Sequence, residues 1–485
     1  MWLLPDWRWR KPLSIGLIAG LSLVSLIIVV IEPRLWAFTL LFLSLYRIIN
    51  LLRLIKRRIQ ADYLYHAARQ TGCWLIGLQI ADLVLLKLAN YYHISFLSGL
   101  YSIAAAQIVV GLVILATTRR HLRTTKPPKL SSVHADRDLP SLTVAIPARN
   151  ETTDLEDCLQ SLIISTYPKL EILVLDDCSQ NKRTPEIIRG FAHDGVRFIA
   201  GEEPPGQWLA KNYAYSQLAE EANGDLLLFC GVDVRFKPES LTTIVGTLLQ
   251  KQKAMISIIP RNILPGGWNP KPALLQPARY AWELALPRRM LGQPPVLSSC
   301  WLISRQALDE AGGFAAVSRK AVPESYLARR ATTSKDSYSF LRSNDRLGIS
   351  SQKSFDDQLA TAIRTRYPQL HRRPELVALV SLAEFGSLLG PLIMLIAALA
   401  SQAWLLAALS AAAYLVQAIT YSKIANLTYD KFLIRGTWLL PVAALYDIGI
   451  LNYSMWQYEF NEVIWKGRNV CIPVMRVIAD LPKIS

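Results

Sequence analysis

The chain is poor in the residues that build covalent or metal-held scaffolds. Six cysteines and six histidines are spread over 485 residues. Cys73, Cys158, Cys178, Cys230, Cys300 and Cys471 form no C-x-x-C pair, and no histidine cluster accompanies them. That excludes a zinc-finger-type centre and a disulfide framework, and scattered, apolar-flanked cysteines fit a reducing cytoplasm. Acidic charge is also scarce: 37 Asp and Glu stand against 53 Lys and Arg, a formal net charge of +16. Such an excess suits either nucleic acid or a membrane surface, and its placement decides between them. The clusters Arg53-Lys56-Arg57-Arg58 and Arg119-Arg120-Arg123-Lys126-Lys129 each follow a hydrophobic stretch. They therefore read as cytoplasmic anchors under the positive-inside rule, able to attract anionic lipid, and not as a nucleic-acid tract.

Long apolar runs gather toward both ends. Leu13–Ile31, Ile94–Thr117 and Gln402–Tyr421 carry no charge, and Leu376–Ala400 carries only Glu384. A helix needs about 20 residues to cross a hydrocarbon core of ~30 Å, so each run is long enough to span. Leu35–Ile55, Gly72–Tyr91 and Gly436–Met455 are weaker candidates, interrupted by Arg47, by Asp82 with Lys87, and by Asp447. Leu13–Ile31 has a basic approach at Arg8, Arg10 and Lys11 but no small-x-small site before Pro33, so it reads as an anchor rather than a cleaved leader. Four helices starting from a cytoplasmic N-terminus return the chain to the cytoplasm near Arg119. Asp82, Glu384 and Asp447 are intramembrane acids, hence candidate functional groups by default, and they raise the reading of a transporter. The large polar region between the two hydrophobic ones argues against it.

That region alternates between two periodicities. Short apolar runs at Leu142–Ile146, Glu171–Leu175, Val196–Ile199 and Leu226–Cys230 predict strands. Between them, Leu155, Leu159, Leu162 and Ile163 recur at helical spacing, a helix is expected near Pro185–Ala192, and another runs to Ala222. Alternation of this kind predicts an α/β domain with a mainly parallel, Rossmann-like sheet and right-handed crossovers. The polar clusters stand just after the strands, at the edge where open α/β sheets bind ligands.

Those clusters carry a resemblance. Pro147, Asn150 and Glu151 follow the first strand; Asp176, Asp177 and Ser179 follow the second; Gly206, Trp208 and Lys211 precede a helix; Gly231, Val232 and Asp233 follow the fourth. From about Leu142 to Arg330 the chain resembles a family 2 glycosyltransferase of the GT-A fold. The resemblance implies nucleotide-sugar contacts at Pro147, Asn150, Glu151, Asp176, Asp177 and Lys211. It implies a divalent cation, Mg²⁺ or Mn²⁺, held by Asp233, the last acid of a D-x-D-like motif. Such a cation bridges a diphosphate with few protein carboxylates and, with Lys211, offsets the charge that builds on the leaving group. The chain departs from the family at Gly231, where the first acid of that motif usually stands.

The acceptor half resembles the family less closely. Ser299–Ile303 predicts another strand, and Pro323-Glu324-Ser325 stands where the family has an E-D motif whose aspartate is the catalytic base. Glu324 is the expected substitute, with Asp345, Asp356 and Asp357 as alternatives; a base is worth ~10²–10⁴-fold. Gln369-Leu370-His371-Arg372-Arg373 resembles a Q-x-x-R-W motif, which implies that Arg372 faces the diphosphate, with Arg364 and Arg366 as neighbours that can share the role. Trp465-Lys466-Gly467-Arg468 resembles the W-x-G-R ending of glycosyltransferases that act on ceramides, carotenoids or hopanoids. Leu264–Pro295, with Trp268, Tyr280, Trp282, Arg288 and Arg289, suits an interfacial acceptor loop.

The resulting expectation has four parts: a membrane region of about four helices over 1–125, a cytoplasmic GT-A domain over 126–370, a C-terminal membrane region over 371–460, and a cytoplasmic tail over 461–485. Two helices span in the C-terminal region, followed by a third span or a re-entrant segment around Pro441 and Asp447. The expected activity is inverting hexosyl transfer from a nucleotide sugar, UDP-linked by expectation, to a lipid-type acceptor at the plasma (inner) membrane, with no nucleic acid partner. The alternative is a nucleotide-sugar- or lipid-binding membrane protein that has lost catalytic power with the acids missing at Gly231 and Ser325.

Overall fold

The computed structural model describes residues 10–31, 96–127, 138–263, 294–333, 337–428 and 438–475, with isolated positions between them. The runs Leu35–Ile55 and Gly72–Tyr91, the basic cluster Arg53–Arg58, and Trp268, Trp282, Arg288 and Arg289 lie outside the described residues.

The centre is a seven-stranded sheet ordered β3-β2-β1-β4-β8-β6-β9. Its strands are β1 (Leu142–Ala148), β2 (Leu170–Asp176), β3 (Val196–Ala200), β4 (Leu226–Cys230), β6 (Met255–Ile259), β8 (Cys300–Ser304) and β9 (Tyr338–Arg342). Strands β3, β2, β1 and β4 run parallel, with Ala148 opposite Asp176, so their carboxyl ends share one edge. Strand β8 is reversed against both β4 and β6. A small sheet of β5 (Val234–Phe236), β10 (Ile349–Ser351) and β7 (Arg261–Asn262) stands beside it.

Successive strand residues point to opposite faces, and the core divides accordingly. Val144, Ile146, Leu228 and Leu302 face one layer, where they meet Leu155, Leu159 and Leu162 of the helix Thr153–Ile163 and Ile244 and Leu248 of the helix Ser240–Gln250. Ala145, Leu227, Phe229, Trp301 and Ile303 face the other layer, against Tyr215 and Leu218 of the helix Ala210–Glu221 and Leu327 and Ala331 of the helix Pro323–Thr333. Here Phe229 stacks on Trp301 at 4.5 Å between ring centroids, and Tyr215 meets both rings edge-on. The five described cysteines are free thiols.

Three described helices are long and apolar enough to cross a membrane: Ser98–Thr124, Leu376–Ala400 and Trp404–Asn426. The second passes through a wider turn at Phe385–Leu389 without breaking. Large apolar side chains stay exposed on all three, among them Val109, Val113, Leu382, Ile396, Leu405 and Leu415. Uncovered apolar surface of this extent marks a lipid-facing or partner-facing side. Gly111 lets two of these helices approach, since a Cβ there would lie 3.1 Å from Val416. The first apolar run falls in the helix Arg10–Ile31, whose Leu23, Ile27 and Ile31 are likewise exposed.

The segment around Asp447 forms an unbroken helix, Leu440–Glu459, with Pro441 in its first turn. It packs along the helix Phe355–Gln369 instead of leaving the domain. Buried Arg366 pairs with buried Asp447, Tyr367 donates to Glu459, and Ser454 Oγ donates to Ile363 O at 2.5 Å. The opposite side of the same helix exposes Leu445, Tyr446, Tyr453 and Trp456. This geometry keeps the chain beyond Phe460 beside the seven-stranded sheet.

Candidate active site

A cleft opens at the shared carboxyl edge of β1, β2 and β4. Pro147, Arg149, Glu151, Asp177, Lys211, Asp233, Ser351, Lys353, Asp357 and Arg364 line it, joined by Trp465 and Lys466 from the far end of the chain. Its parts arrive by different routes, and each has a local cause.

The turns after β1 and β2 are tied together. Asn150 has φ of 52° and Cys178 φ of 51°. Asparagine tolerates this left-handed conformation better than most residues, and Asn150 uses it to stitch the turns. Its N–H donates to Ser179 Oγ at 2.9 Å, and its Oδ1 accepts from Gln180 N at 2.8 Å. Asp176 Oδ1 accepts from Ser179 N at 3.2 Å. Asn150 and Asp176 therefore buttress the turns, while Pro147, Glu151, Asp177 and Lys211 line the cleft. Buried Arg149 adds a clamp, donating from one nitrogen to Asp177 O at 2.5 Å and Cys178 O at 2.8 Å.

Asp233 sits where the two sheets meet. β10 pairs with β5 so that Ser351 is opposite Val234, and Ser351 Oγ donates to Asp233 Oδ2 at 2.6 Å. The glycine at 231 has a steric reason: a Cβ there would lie 2.5 Å from Asp233 Oδ1. The position that usually holds an acid in the family thus gives the Asp233 carboxylate its room. Asp154 and Asp357 are close by. Burial raises the Asp154 carboxyl above its ordinary value, Arg235 opposes this, and Asp233, Asp357 and Asp157 add to it. Among the described residues no three His, Cys, Asp or Glu side chains form a ready metal cage. A hard cation that takes one or two carboxylates and completes its shell with phosphates and water fits this donor set.

Glu324 is placed differently from its expected role as a base facing the cleft. It is fully buried at the start of the helix Pro323–Thr333 and does not line the cleft. Its Oε1 accepts from Lys211 Nζ at 3.0 Å. Lys211 also lies 4.9 Å from the centre of the Tyr215 ring. Glu324 therefore sits behind Lys211 and aims it. Of the alternative acids, Asp357 lines the cleft and accepts from Ser354 Oγ, whereas Asp345 pairs with Arg261 at an exposed site.

Arg372, expected at the diphosphate, also lies elsewhere. Helix Phe355–Gln369 ends just before it, and at φ of 60° its side chain turns to Val474 O, at 2.6 Å. Arg364, two turns earlier, faces the cleft and stacks over the Trp465 ring at 4.4 Å. Arg372 lies beyond the end of the helix that carries Arg364.

The tail completes the site. β11 (Ile464–Trp465) and β12 (Arg468–Asn469) pair as a hairpin. Lys466 and Gly467 form its turn with φ of 46° and 80°, as a two-residue turn matched to strand twist requires. Lys466 pairs with Glu151, and Arg149 Nε donates to Lys466 O at 2.9 Å. Arg468 donates to Asp177 Oδ1 at 2.6 Å and lies 2.9 Å from Glu203. Burial raises both the Glu151 and Asp177 carboxyls, against the opposing pull of Lys466 and Arg468. With the hairpin in place the cleft holds about 150 Å³, below the ~300–1,000 Å³ of pockets that enclose a drug-sized ligand.

Residues 143–312 match the model of Glycosyl transferase family 2. This stretch is a family 2 glycosyltransferase domain. Its mostly parallel sheet with a reversed β8 is of the GT-A type. Similar proteins include Glycosyltransferase AglE of Haloferax volcanii, 33% identical over 117 residues, which cover 22% of this chain and 37% of that protein. A 4,4'-diaponeurosporenoate glycosyltransferase of Staphylococcus aureus is 29% identical over 125 residues, covering 25% of this chain and 32% of that protein. The chain thus spans about a third of the length of these curated relatives. Among solved structures, the mannosyltransferase PcManGT from Pyrobaculum calidifontis in complex with GDP-Man and Mn²⁺ is 18% identical, with a TM-score of 0.42, over 74% of this chain and 98% of that one. The tail hairpin and Arg364 lie outside the matched glycosyltransferase stretch.

Proposed function

We propose that this protein is an integral membrane glycosyltransferase that moves a sugar, with inversion, from a nucleotide-sugar donor to a lipid-type acceptor. The observation that carries the reading is the convergence of Asp177, Asp233 and Lys211 on one cleft at the carboxyl edge of the parallel strands. Asp177 offers a carboxylate to the base or ribose. Lys211, aimed by Glu324, and Arg364 supply fixed positive charge where the diphosphate departs. Asp233 would hold Mg²⁺ or Mn²⁺, which when bound acts as a Lewis acid on the diphosphate. The Arg149 clamp holds the Asp177 turn.

The apolar helices support the reading of a cleft held at a membrane. Leu376–Ala400 and Trp404–Asn426 are long and apolar enough to take the chain across and back, and the exposed Leu445 and Trp456 of the helix Leu440–Glu459 suit a membrane interface. The hairpin and the donor cleft then share one side, and the basic residues Arg119, Arg120 and Arg123 at the end of the helix Phe96–Thr124 favour the cytoplasmic side of an inner membrane for it.

The test is transfer by the full chain in lipid nanodiscs, with UDP-, GDP- and dTDP-linked hexoses in the presence of Mg²⁺ or Mn²⁺. Cation-dependent release of nucleoside diphosphate, lost in Asp233→Asn, is the expected result. Nucleotide binding with no release from any donor would support a binding protein that has lost catalytic power.

A further inference from the structure

A second chamber of about 340 Å³ adjoins the donor cleft. Lys211, Arg364 and Trp465 line both, so these three side chains stand where the two spaces meet. Glu324 holds Lys211 from behind. Arg364 is held by a different means: its Cζ lies over the Trp465 ring, 4.4 Å from the ring centre. Lys466 Nζ is farther from the same ring, at 5.5 Å.

A guanidinium on an aromatic face gains cation–π attraction and is fixed in its plane, while its N–H donors stay along the edge. Such an edge meets phosphate oxygens in parallel pairs. An arginine without a platform samples many rotamers, and its charge is spread with them. The stack therefore decides where the Arg364 charge stands.

The C-terminal segment fixes both partners of the stack. Helix Leu440–Glu459 grips the backbone around Arg364: Tyr458 Oη donates to Arg364 O at 2.7 Å, and Ser454 Oγ donates to Ile363 O at 2.5 Å. The hairpin follows that helix directly. Its base is closed by Val470 N donating to Val463 O at 2.9 Å and by Asn469 Nδ2 donating to Asn461 O at 3.0 Å. Trp465 packs on the buried cluster that holds Val463, Val470 and Tyr458. Base and tip are thus anchored separately. At the tip, Lys466 and Arg468 bond to Glu151 and Asp177 of the donor cleft. A donor can displace those two grips and leave the Trp465–Arg364 stack standing.

We propose that Trp465 is a positioning residue for sugar transfer: its ring holds the Arg364 guanidinium at the junction, so the tail sets the charge that meets the departing diphosphate. This rests on the glycosyltransferase reading. When the bond from the anomeric carbon to the diphosphate breaks, the electron pair stays on the diphosphate oxygen, and a cation fixed beforehand stabilises that charge without reorganising.

The test is single-turnover release of nucleoside diphosphate by the full chain in nanodiscs, at saturating UDP-, GDP- and dTDP-linked hexoses. Arg364→Ala should slow the step ~10²-fold, as for loss of one electrostatic stabiliser. Trp465→Ala should slow it about tenfold and shift the half-saturating donor concentration less than about threefold, because the misplaced charge matters most in the transition state. Trp465→Phe keeps a ring face and should return to within about threefold of the parent, whereas Trp465→Leu should behave as Trp465→Ala. Phe and Leu differ in the ring more than in apolar bulk, so their contrast, read beside unfolding midpoints, separates positioning from folding. In the Arg364→Ala background, Trp465→Ala should add no further loss, the mark of two residues acting as one unit. A second loss of the same size in that background, or Trp465→Leu matching the parent, overturns the proposal and leaves the donor reading standing. Release at the parent rate by Arg364→Ala does the same. Absence of release by the parent chain from every donor removes the donor reading and the proposal with it.

Discussion

The two halves of the site are built differently. On the donor side, Pro147, Asp177, Lys211 and Asp233 stand within a few residues of the strand or helix that positions them. On the tail side, Trp465 and Lys466 line the same cleft, and Arg468 bonds to Asp177 from 291 residues further along the chain. The donor half depends on strand register; the tail half depends on a helix seated by a buried ion pair. Removing a strand-end residue should therefore cost chemistry, while unseating the helix should cost the tail.

The largest effect is expected from that ion pair. Arg366→Ala removes the guanidinium from a buried ion pair, which costs about 3–5 kcal/mol. The thermal unfolding midpoint in detergent should fall, and amide exchange should accelerate along 440–470 before it does in β1, β2 and β4. Uniform acceleration would mean that the two halves are one cooperative unit. Next comes Asp233→Asn, expected to slow donor turnover ~10²–10³-fold with the unfolding midpoint unchanged, as for loss of one electrostatic stabiliser. Gly231→Ala should be milder. Its Cβ would press on the Asp233 carboxylate, and the Mn²⁺ concentration for half-maximal turnover should rise several-fold, with recovery at saturating metal.

Arg468→Ala should change turnover least and tail exchange most among the tail variants. Exchange of amides 464–470 should rise about tenfold, and nucleoside diphosphate affinity should change by only a few-fold, because a bound donor removes the need for the tail's grip on Asp177. Lowering the pH should act in the same direction. Glu151 and Asp177 have raised pKa values, so they take up protons above the ordinary carboxylate range and release Lys466 and Arg468. The folded chain binds those protons more tightly than the unfolded one, so their contribution to stability grows as pH falls through that window. The hairpin should thus loosen while these two groups do not lower the unfolding midpoint. Hydrogen exchange across that range, read beside a pH series of melting curves, separates the two effects.

Legibility in the sequence followed the same division. The strands at Leu142, Leu170, Val196 and Leu226 could be read because alternation and run length are local properties, and the observed bounds differ from expectation by a residue or two. The reversed β8 could not, since direction depends on partners. Asn150 and Asp176 looked like donor contacts because they stand beside residues that line the cleft; only the turn geometry shows that they bond to Ser179 and Gln180. Arg372 was singled out on motif spacing, but the helix stops at Gln369 and hands the position to Arg364. Glu324 was expected as the catalytic base, whereas the fold turns the start of its helix inward and buries it against Lys211. The W-K-G-R tail was visible as a motif, yet nothing local names Glu151 and Asp177 as its partners.

By itself, the amino-acid order determined the α/β alternation, the apolar helices and the acids at the strand ends, because these rest on periodicity and on residues next to each other in the chain. Only the tertiary structure decided which acids face the cleft, which cations hold them, and that a second chamber meets the first at Lys211 and Arg364. Those outcomes depend on burial and on pairings across hundreds of residues, where side-chain chemistry sets what a contact is worth but not which contact forms.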